Sequence, residues 1–382
     1  MKVVDVTEFY SERGGGVRSY LEAKQHILCQ LGHESLLVVP GPTHGSRPGL
    51  RRVGGPRLPY DATYHLLWRP DKIRDLAGIE RPDVLEIHSP YVAAAGVLMA
   101  PPRSFGIRTF VWHSDFIDTY ERVLLAPRAW ASPLAPALRI PLWGWVRTIG
   151  RACAATFCAS RWQADKLIRH GVPRVVRLPF GVDKEVFVPR EPRDVDTPER
   201  RRWLKGRRGP LLCAVGRLAV EKHWDVVLDA VARLPGEPVL VVLGDGPERE
   251  RLQARAGTNV HFAGFRTDRR ELARVLSSAD ALVHGCPHET FGIAIAEAIA
   301  CALPVVVPDE GGAAELAAPE LSERYASGDP EACAAAITRL LGRQKEARAA
   351  AAVAARSLLS TREHFEKLLA HYAELLARRS AE

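Results

Sequence analysis

Residues 211–247 read LLCAVGRLAVEKHWDVVLDAVARLPGEPVLVVLGDGP. The apolar runs 211–215 and 239–243 predict two buried strands, and the pattern over 224–234 predicts a helix between them. Strands that alternate with helices in this way indicate a parallel sheet covered by helices on both faces. The quoted segment therefore predicts an α/β fold.

The same alternation runs along the rest of the chain. Further strands are predicted at 2–6, 36–39, 84–88, 109–113, 156–159, 175–178, 260–262, 281–284 and 305–307. The rhythm breaks at 183–209, which is charged and rich in proline, and we interpret this segment as a linker. We therefore expect two doubly wound, Rossmann-like domains, 1–182 and 210–360, with a ligand cleft between them. Helix 361–382 carries a one-sided apolar stripe and is expected to pack back on the first domain.

Composition restricts the class of protein. The chain has 382 residues, of which 47% are hydrophobic and 26% charged, so it can bury a core and is neither disordered, collagen-like nor a coiled coil. The net charge of +8 suits an anionic partner such as a nucleotide, a phospholipid surface or a nucleic acid. Because the cations are scattered and no stacking aromatic side chains accompany them, we do not expect nucleic-acid binding.

Cysteine usage and the N-terminus favour a cytoplasmic location. The seven cysteines lack the spacing of a zinc site or redox motif, and the chain begins with a strand pattern rather than a signal peptide. Residues 128–146 combine three tryptophans and two arginines with leucine and proline. This composition suits peripheral contact with an anionic membrane, and a buried helix pair explains it equally well.

Three motifs carry residues suited to chemistry, and each also has an ordinary structural explanation. Gly14–Gly16 precede a helix, where they allow close approach of an anion or simply form a tight turn. Arg217 and Lys222 follow strand 211–215, either as a diphosphate clamp or as a solvated basic loop. Glu289 and Glu297 lie after strand 281–284, either gripping the hydroxyl groups of a ligand or forming surface ion pairs.

The joint order of these motifs is more informative than any one of them. Together with the Gly244–Pro247 turn, Gly264-Phe265 and the Gly311-Gly312 pair, they resemble the retaining glycosyltransferases of family 4, which have the two-domain GT-B architecture. The resemblance covers essentially the whole chain and is strongest over 211–316. It implies a hexosyltransferase whose first domain binds the acceptor and whose second binds a nucleoside-diphosphate sugar. The alternative is a non-catalytic nucleotide- or sugar-binding protein, which would not need this combination of residues.

The resemblance also implies roles for individual residues. Arg217 and Lys222 match the pair that stabilises the departing diphosphate, Glu289 matches the residue at the transferred sugar, and His113 matches a histidine that reaches that sugar. These four form the expected catalytic set. Further residues are expected to bind the donor: Gly15, Gly16, Gly244, Phe265, Arg266, Phe291, Gly292, Ile293 and Glu297, the last at the ribose.

Two features depart from the family pattern or imitate another. Phe180 stands where the family usually has asparagine, before Gly181-Val182-Asp183. Asp194-Val195-Asp196 imitates a metal-binding motif, but it lies in the charged segment rather than at a strand end. We therefore expect neither a metal nor a cofactor, because Arg217 and Lys222 would supply the positive charge.

The donor and the acceptor are less constrained than the reaction. The segment 284–293 resembles mannosyltransferases that use GDP-mannose, which we favour slightly over UDP-glucose or another UDP-hexose. A glycan, a glycolipid or a small molecule each remains a possible acceptor. An epimerase would require a different carboxylate set, and a phosphorylase would require a lysine that holds pyridoxal phosphate.

Overall fold

The computed structural model describes residues 1–10, 15–58, 61–120, 135–189 and 197–381. Contacts divide the chain into two compact units. The first unit comprises Met1–Ile117, Arg128–Pro179 and Thr361–Glu382, and the second comprises Asp118–Pro127 and Phe180–Ser360. Each unit contains its own parallel sheet.

The sheet of the first unit has the strand order β10-β9-β8-β7-β1-β2-β4-β3. All neighbours pair in parallel except β3 and β4, and β5 pairs with β6 in a separate antiparallel ribbon. The strands are β1 Lys2–Val6, β2 Glu34–Gly41, β3 Gly45–Arg47, β4 Leu50–Gly54, β5 Arg57–Leu58, β6 Asp61–His65, β7 Val84–Ile87, β8 Ile107–Trp112, β9 Ala155–Cys158 and β10 Val175–Arg177. The helices of this part of the chain are α1 Gly16–Gln30, α2 Pro70–Glu80, α3 Val92–Leu98, α4 Phe116–Tyr120, α5 Ala135–Ala152 and α6 Arg161–Arg169.

The second unit has a parallel sheet in the order β13-β12-β11-β14-β15-β16. Its strands are β11 Leu211–Val215, β12 Val239–Leu243, β13 Val260–Gly264, β14 Ala281–Val283, β15 Val305–Pro308 and β16 Ser322–Tyr325. Its helices are α7 Pro198–Leu204, α8 Trp224–Ala232, α9 Arg249–Arg255, α10 Arg269–Ser278, α11 Ile293–Ala300, α12 Gly311–Leu316, α13 Pro330–Gly342 and α14 Gln344–Ser357. This is the strand order of a Rossmann fold.

Both sheets reverse their strand order at one point, between β1 and β7 in the first unit and between β11 and β14 in the second. The chain runs outward from the central strand in one direction and later returns to add strands on its other side. The loops at the carboxyl ends of the two strands at this point therefore run to opposite faces of the sheet and leave a crevice between them. Ligands of open α/β sheets bind in this crevice. The fold thus directs attention to the loops that follow these four strands.

The last helix, α15 Thr361–Ala381, belongs to the first unit. Its apolar stripe is buried as expected, through Phe365, Leu368, Leu369 and Tyr372. The stripe therefore packs on the first unit, which explains why a helix so far along the chain has one apolar side.

The predicted strands are present, with ends that move by up to two residues. The prediction 109–113 becomes β8, which ends at Trp112, so His113 lies just beyond the strand. The short strands β3 to β6 and β16 were not predicted, because their sequences are short and polar. Within the segment interpreted as a linker, residues 198–204 form α7, and its Trp203 is buried.

Candidate active site

Loops after β11 and β14 bring two of the predicted catalytic residues into contact. The ammonium of Lys222 donates a hydrogen bond to Oε1 of Glu289, and the two side chains are only 23% and 18% exposed. Nε2 of His284, which follows β14, lies 3.5 Å from the same oxygen. The switch point of the second unit therefore holds a largely buried ion pair with a histidine beside it.

Electrostatics keep both members of this pair ionised. Burial alone would raise the pKa of the Glu289 carboxyl, but the Lys222 charge and then His284 outweigh it and hold the pKa below its usual value. Burial alone would lower the pKa of Lys222, but the Glu289 charge raises it above its usual value. Burial lowers the pKa of His284 to about 4, so this ring is neutral at neutral pH.

Two glycines hold the loop that carries Glu289. The N–H of Gly312 donates to the carbonyl of Glu289 at 2.7 Å, and a Cβ on Gly312 would stand 2.5 Å from the carbonyl oxygen of Thr290. Gly292 has φ +91° at the start of α11, a conformation that side-chain-bearing residues rarely adopt. The glycines therefore let the loop pack tightly and turn abruptly into the helix.

The N-terminus of α11 offers backbone donors. No side chain among the described residues caps this helix. Ile295 and Ala296 donate back to the carbonyl of Gly292, whereas the N–H groups that precede them lie before the first intrahelical bond. The predicted backbone contacts of Phe291, Gly292 and Ile293 lie at this end, where the helix dipole favours an anion.

Glu297 lies farther along α11 and is only 3% exposed. Its Oε1 accepts a hydrogen bond from Nη2 of Arg269 at 2.5 Å, and the guanidinium of Arg269 stands 4.8 Å from the ring centre of Phe187. Burial raises the pKa of the Glu297 carboxyl despite the opposing charge of Arg269. Arg269 was missed in the sequence, because nothing in the spacing of residues 269 and 297 indicates that their side chains meet.

The remaining predicted residues of the second unit follow neighbouring strands. Arg217 follows β11 and is exposed, and its carbonyl accepts a hydrogen bond from Nε1 of Trp224 at 2.8 Å. Gly244 follows β12, where its N–H donates to the carbonyl of Gly264 at 3.0 Å. Phe265 follows β13 with 51% of its surface exposed. Nη1 of Arg266 lies 3.3 Å from Oε1 of Glu271. Since these strands are parallel neighbours, the residues share one edge of the sheet.

Phe180 packs beneath the same region. Its ring centre lies 5.5 Å from that of Phe291 in an edge-to-face arrangement, and both side chains are buried. The departure from asparagine at position 180 therefore provides an aromatic contact to the residue that precedes Gly292.

In the first unit, His113 follows β8 and contacts a second histidine. Its Nε2 lies 2.7 Å from Nδ1 of His88, and its ring centre is 5.0 Å from that of Tyr20. Gly15 and Gly16 begin α1, as expected from the sequence. Gly14 and the Asp194–Asp196 motif lie outside the described residues.

A buried cluster of charges, not predicted from the sequence, lies beside His88. Lys24 donates to Asp5 at 2.6 Å, to Glu86, and to the hydroxyl of Tyr372 at 3.0 Å. These four side chains are fully buried. Asp5 and Glu86 each lie between apolar neighbours within a strand, and this was the available signal in the sequence.

Part of the tryptophan-rich stretch faces inward. Trp143 is 3% exposed and stacks 3.8 Å from His170, and Nε1 of Trp145 donates to the carbonyl of Pro90 at 2.6 Å. Residues 128–134 lie outside the described part of the chain. Among the described helices, none combines the length and the apolar character needed to cross a membrane.

Comparison with known families matches both halves of the chain. "Glycosyltransferase Family 4" matches residues 14–186, and "Glycosyl transferases group 1" matches residues 195–357.

Curated relatives match over most of their length. A "GDP-mannose-dependent alpha-(1-6)-phosphatidylinositol dimannoside mannosyltransferase" of Mycobacterium tuberculosis (strain ATCC 25177 / H37Ra) is 32% identical, over 91% of this chain and 90% of the relative. A "GDP-mannose-dependent alpha-mannosyltransferase" of Mycolicibacterium smegmatis is 33% identical, over 100% and 99%.

Solved structures share the fold at low sequence identity. Sucrose-phosphate synthase from Thermosynechococcus elongatus superposes with a TM-score of 0.78 at 18% identity, covering 99% of both chains. Anabaena Alr3699/HepE in complex with UDP superposes with a TM-score of 0.70 at 16% identity, covering 98% of this chain and 100% of the other. The two Rossmann-like units therefore have the GT-B fold.

Proposed function

The chain belongs to glycosyltransferase family 4, and from that membership we propose that it moves mannose from GDP-mannose to a hydroxyl of a mannosylated glycolipid. In this proposal the anomeric configuration is retained and neither a metal nor a cofactor is required. The observation that carries the proposal is the ion pair of Lys222 and Glu289 at the switch point of the second unit. The choice of donor is supported by the relatives named as GDP-mannose-dependent.

Leaving-group departure is the step that needs positive charge. When the bond between sugar and phosphate breaks, negative charge grows on the diphosphate, and cations already in place lower the barrier. Lys222 remains charged because Glu289 raises its pKa. Arg217, after the same strand, would supply a guanidinium, and the N-terminus of α11, which no described side chain caps, would add backbone donors.

Sugar recognition falls to the two glutamates. Glu289, whose pKa is held low, would accept hydrogen bonds from hydroxyl groups of the mannose. Glu297 would do so at the ribose, eight positions along the chain. A carboxylate with a low pKa and a lysine partner is a weak nucleophile. We therefore assign attack to the acceptor hydroxyl, on the face from which the diphosphate departs, and its proton passes to an oxygen of that departing diphosphate.

Two clusters in the described part of the chain bring carboxylates close to a histidine, as a metal site would. In both clusters a lysine ammonium already contacts the carboxylates, which supports metal independence. Glu289 lies beside His284 but is bonded to Lys222. Asp5 and Glu86 lie beside His88 but are bonded to Lys24. An ammonium in contact with these oxygens repels a second cation, so it takes the place that a divalent ion would need.

The acceptor is proposed to be a glycolipid presented at an anionic membrane surface, with the enzyme in peripheral contact from the cytoplasmic side. One relative is named for phosphatidylinositol dimannoside, and the chain has a net charge of +8. Ile140, on α5, is 71% exposed and is the apolar side chain we assign to this contact.

Donor choice is tested first by thermal unfolding with GDP, UDP, ADP and their sugar conjugates. A ligand at 100 times its Kd stabilises the protein by about 2.7 kcal/mol, so the cognate nucleotide should stand out. We expect GDP and GDP-mannose to raise the unfolding temperature and UDP-glucose not to do so. Stabilisation by UDP alone would refute the choice of base.

Transfer is then measured with radiolabelled GDP-mannose and phosphatidylinositol dimannoside in anionic vesicles, with methyl α-mannoside as the soluble acceptor. We expect an α-linked product on the lipid and none with Glu289→Gln. A β-linked product would refute retention, and transfer only to the soluble mannoside would refute the lipid acceptor.

A further inference from the structure

Two histidines form a pair at the carboxyl ends of neighbouring strands in the first unit. His88 follows β7 and His113 follows β8, and these strands pair in parallel. Nδ1 of His88 lies 2.7 Å from Nε2 of His113, and the ring centres are 5.0 Å apart. One proton lies between the two nitrogens, and its position determines the tautomer of His113.

The other nitrogen of His88 faces two carboxylates. Its Nε2 lies 2.8 Å from Oδ1 of Asp5 and 3.3 Å from Oε2 of Glu86. Both carboxylates are fully buried and share Lys24. A carboxylate only accepts hydrogen bonds, so Nε2 of His88 must carry a proton.

Charge balance assigns the proton between the rings. Asp5 and Glu86 carry two negative charges against the single positive charge of Lys24, so a cationic His88 neutralises the cluster. Although burial opposes it, hydrogen bonds and charges from Asp5 and Glu86 raise the pKa of His88. Burial and then the neighbouring charge of His88 lower the pKa of His113 well below its usual value. His88 is therefore the donor and His113 the neutral acceptor.

We propose that His88 is a positioning residue that fixes His113 in the tautomer with its proton on Nδ1. Because Nε2 of His113 accepts the hydrogen bond from His88, the proton of the neutral His113 ring lies on Nδ1. His113 then donates a hydrogen bond there and does not act as a base. The contact of His113 with the transferred sugar rests on the proposed function, whereas the tautomer follows from this cluster alone.

The arrangement depends on pH in a defined direction. His88 has a raised pKa, so its charged form is complete at low pH and is lost as the pH rises through that pKa. Without the proton on Nδ1 of His88, the proton of His113 can move to Nε2, which turns Nδ1 into an acceptor. Among the described residues, the titratable groups that face this pair include Asp5, Tyr20, Lys24, Glu86, His364 and Tyr372.

The tautomer can be measured directly by long-range proton–nitrogen NMR of the full-length protein labelled with ¹⁵N-histidine. Signals are assigned by their loss in His113→Gln and His88→Asn. At pH 7 we expect His88 to be protonated on both nitrogens and His113 on Nδ1 only. A proton on Nε2 of His113, or a neutral His88, would overturn the inference whatever the activity.

Kinetics then test the link to transfer. In the wild type, kcat should fall on the alkaline side in parallel with the NMR titration of His88. His88→Asn keeps a donor in place of Nδ1 but does not titrate, so its alkaline decline should disappear. His88→Leu should lower kcat about 10- to 100-fold, the loss of one charge-assisted hydrogen bond, with little change in the KM of the donor.

A matched control is His364→Gln. His364 is also buried in the first unit, but its hydrogen-bond partners differ. Its Nε2 lies 3.1 Å from the hydroxyl of Tyr20, and its Nδ1 lies 2.8 Å from the carbonyl oxygen of Pro179. This variant should keep the alkaline decline, and loss of the decline would contradict the role of His88. If NMR gives the expected tautomer but no mannose is transferred, the proposed function fails and the tautomer inference stands.

Discussion

Replacing Lys222 with methionine should lower the stability of the second unit and abolish transfer, and the two effects have different causes. Methionine keeps most of the aliphatic volume but removes the charge that Glu289 contacts. The carboxylate is then largely buried without its cation. Transfer should be lost because the diphosphate loses one of its two proposed cations.

The size of the effect follows from burial. Removing one partner of a buried ion pair typically costs 3–5 kcal/mol, and the exposure of 18–23% in this pair places the cost near the lower end, about 3 kcal/mol. For a unit of this size, that corresponds to a fall of about 6 to 12 °C in the unfolding temperature. Adding Glu289→Gln removes the orphaned charge, so the double variant should recover most of the stability and none of the activity.

The assay is urea unfolding followed by tryptophan fluorescence, with Trp203 and Trp224 reporting on the second unit. The pKa of Glu289 is lowered on folding, so its contribution is present above the unfolded value near 4.5 and is lost as the pH falls through the folded value. The difference between wild type and Lys222→Met should therefore be largest at neutral pH and shrink in acid.

Arg251→Ala provides the control. Arg251 pairs with Asp225 at 2.8 Å in the same unit, but both side chains are more than 40% exposed, so this change should cost at most about 1 kcal/mol. The reasoning is refuted if Lys222→Met unfolds like the wild type, or if the double variant regains transfer.

Three further predictions concern the donor site and metal independence. Arg269→Ala should raise the KM of the donor about 5- to 10-fold with little change in kcat, since Glu297 loses its hydrogen-bond donor; donor saturation curves test this, and an unchanged KM would contradict it. EDTA should leave the transfer rate unchanged, and inhibition that added Mg²⁺ reverses would show that a metal is needed. Asp194→Ala combined with Asp196→Ala should be silent in the same transfer assay, and loss of activity would mean that this motif is functional.

The fold was predictable because buried parallel strands have continuous apolar sequences. Strands 211–215 and 239–243 were predicted with their observed ends, since both are apolar throughout and are bounded by glycine or proline. The exposed β3 and the four-residue β16, whose sequence is SERY, contain no apolar run, because pairing with a neighbouring strand determines them. The order of the strands in each sheet could not be predicted from the local pattern either, because it depends on pairing between segments far apart in the sequence.

The candidate site was predictable as a set of residues but not as a set of contacts. Lys222 and Glu289 were each identified, yet their ion pair joins positions 67 apart in the sequence. The partner of Glu297 and the cluster around Lys24 were missed for the same reason. In the sequence, Lys24 cannot be distinguished from a surface lysine of a helix, because its partners lie on strands whose positions only the fold determines.

Helix α15 has a consequence for how the protein is made. Glu86 accepts a hydrogen bond from Tyr372 at 2.7 Å. The interior of the first unit therefore includes a residue that follows the entire second unit in the sequence. A ribosome adds 5–20 residues per second, so about 9 to 36 s separate the synthesis of residue 179 from that of residue 361. During that interval the nascent first half lacks the cover of α15, and the second unit can complete its own core first. An N-terminal fragment that ends at residue 179 should therefore aggregate unless residues 361–381 are supplied as a separate peptide.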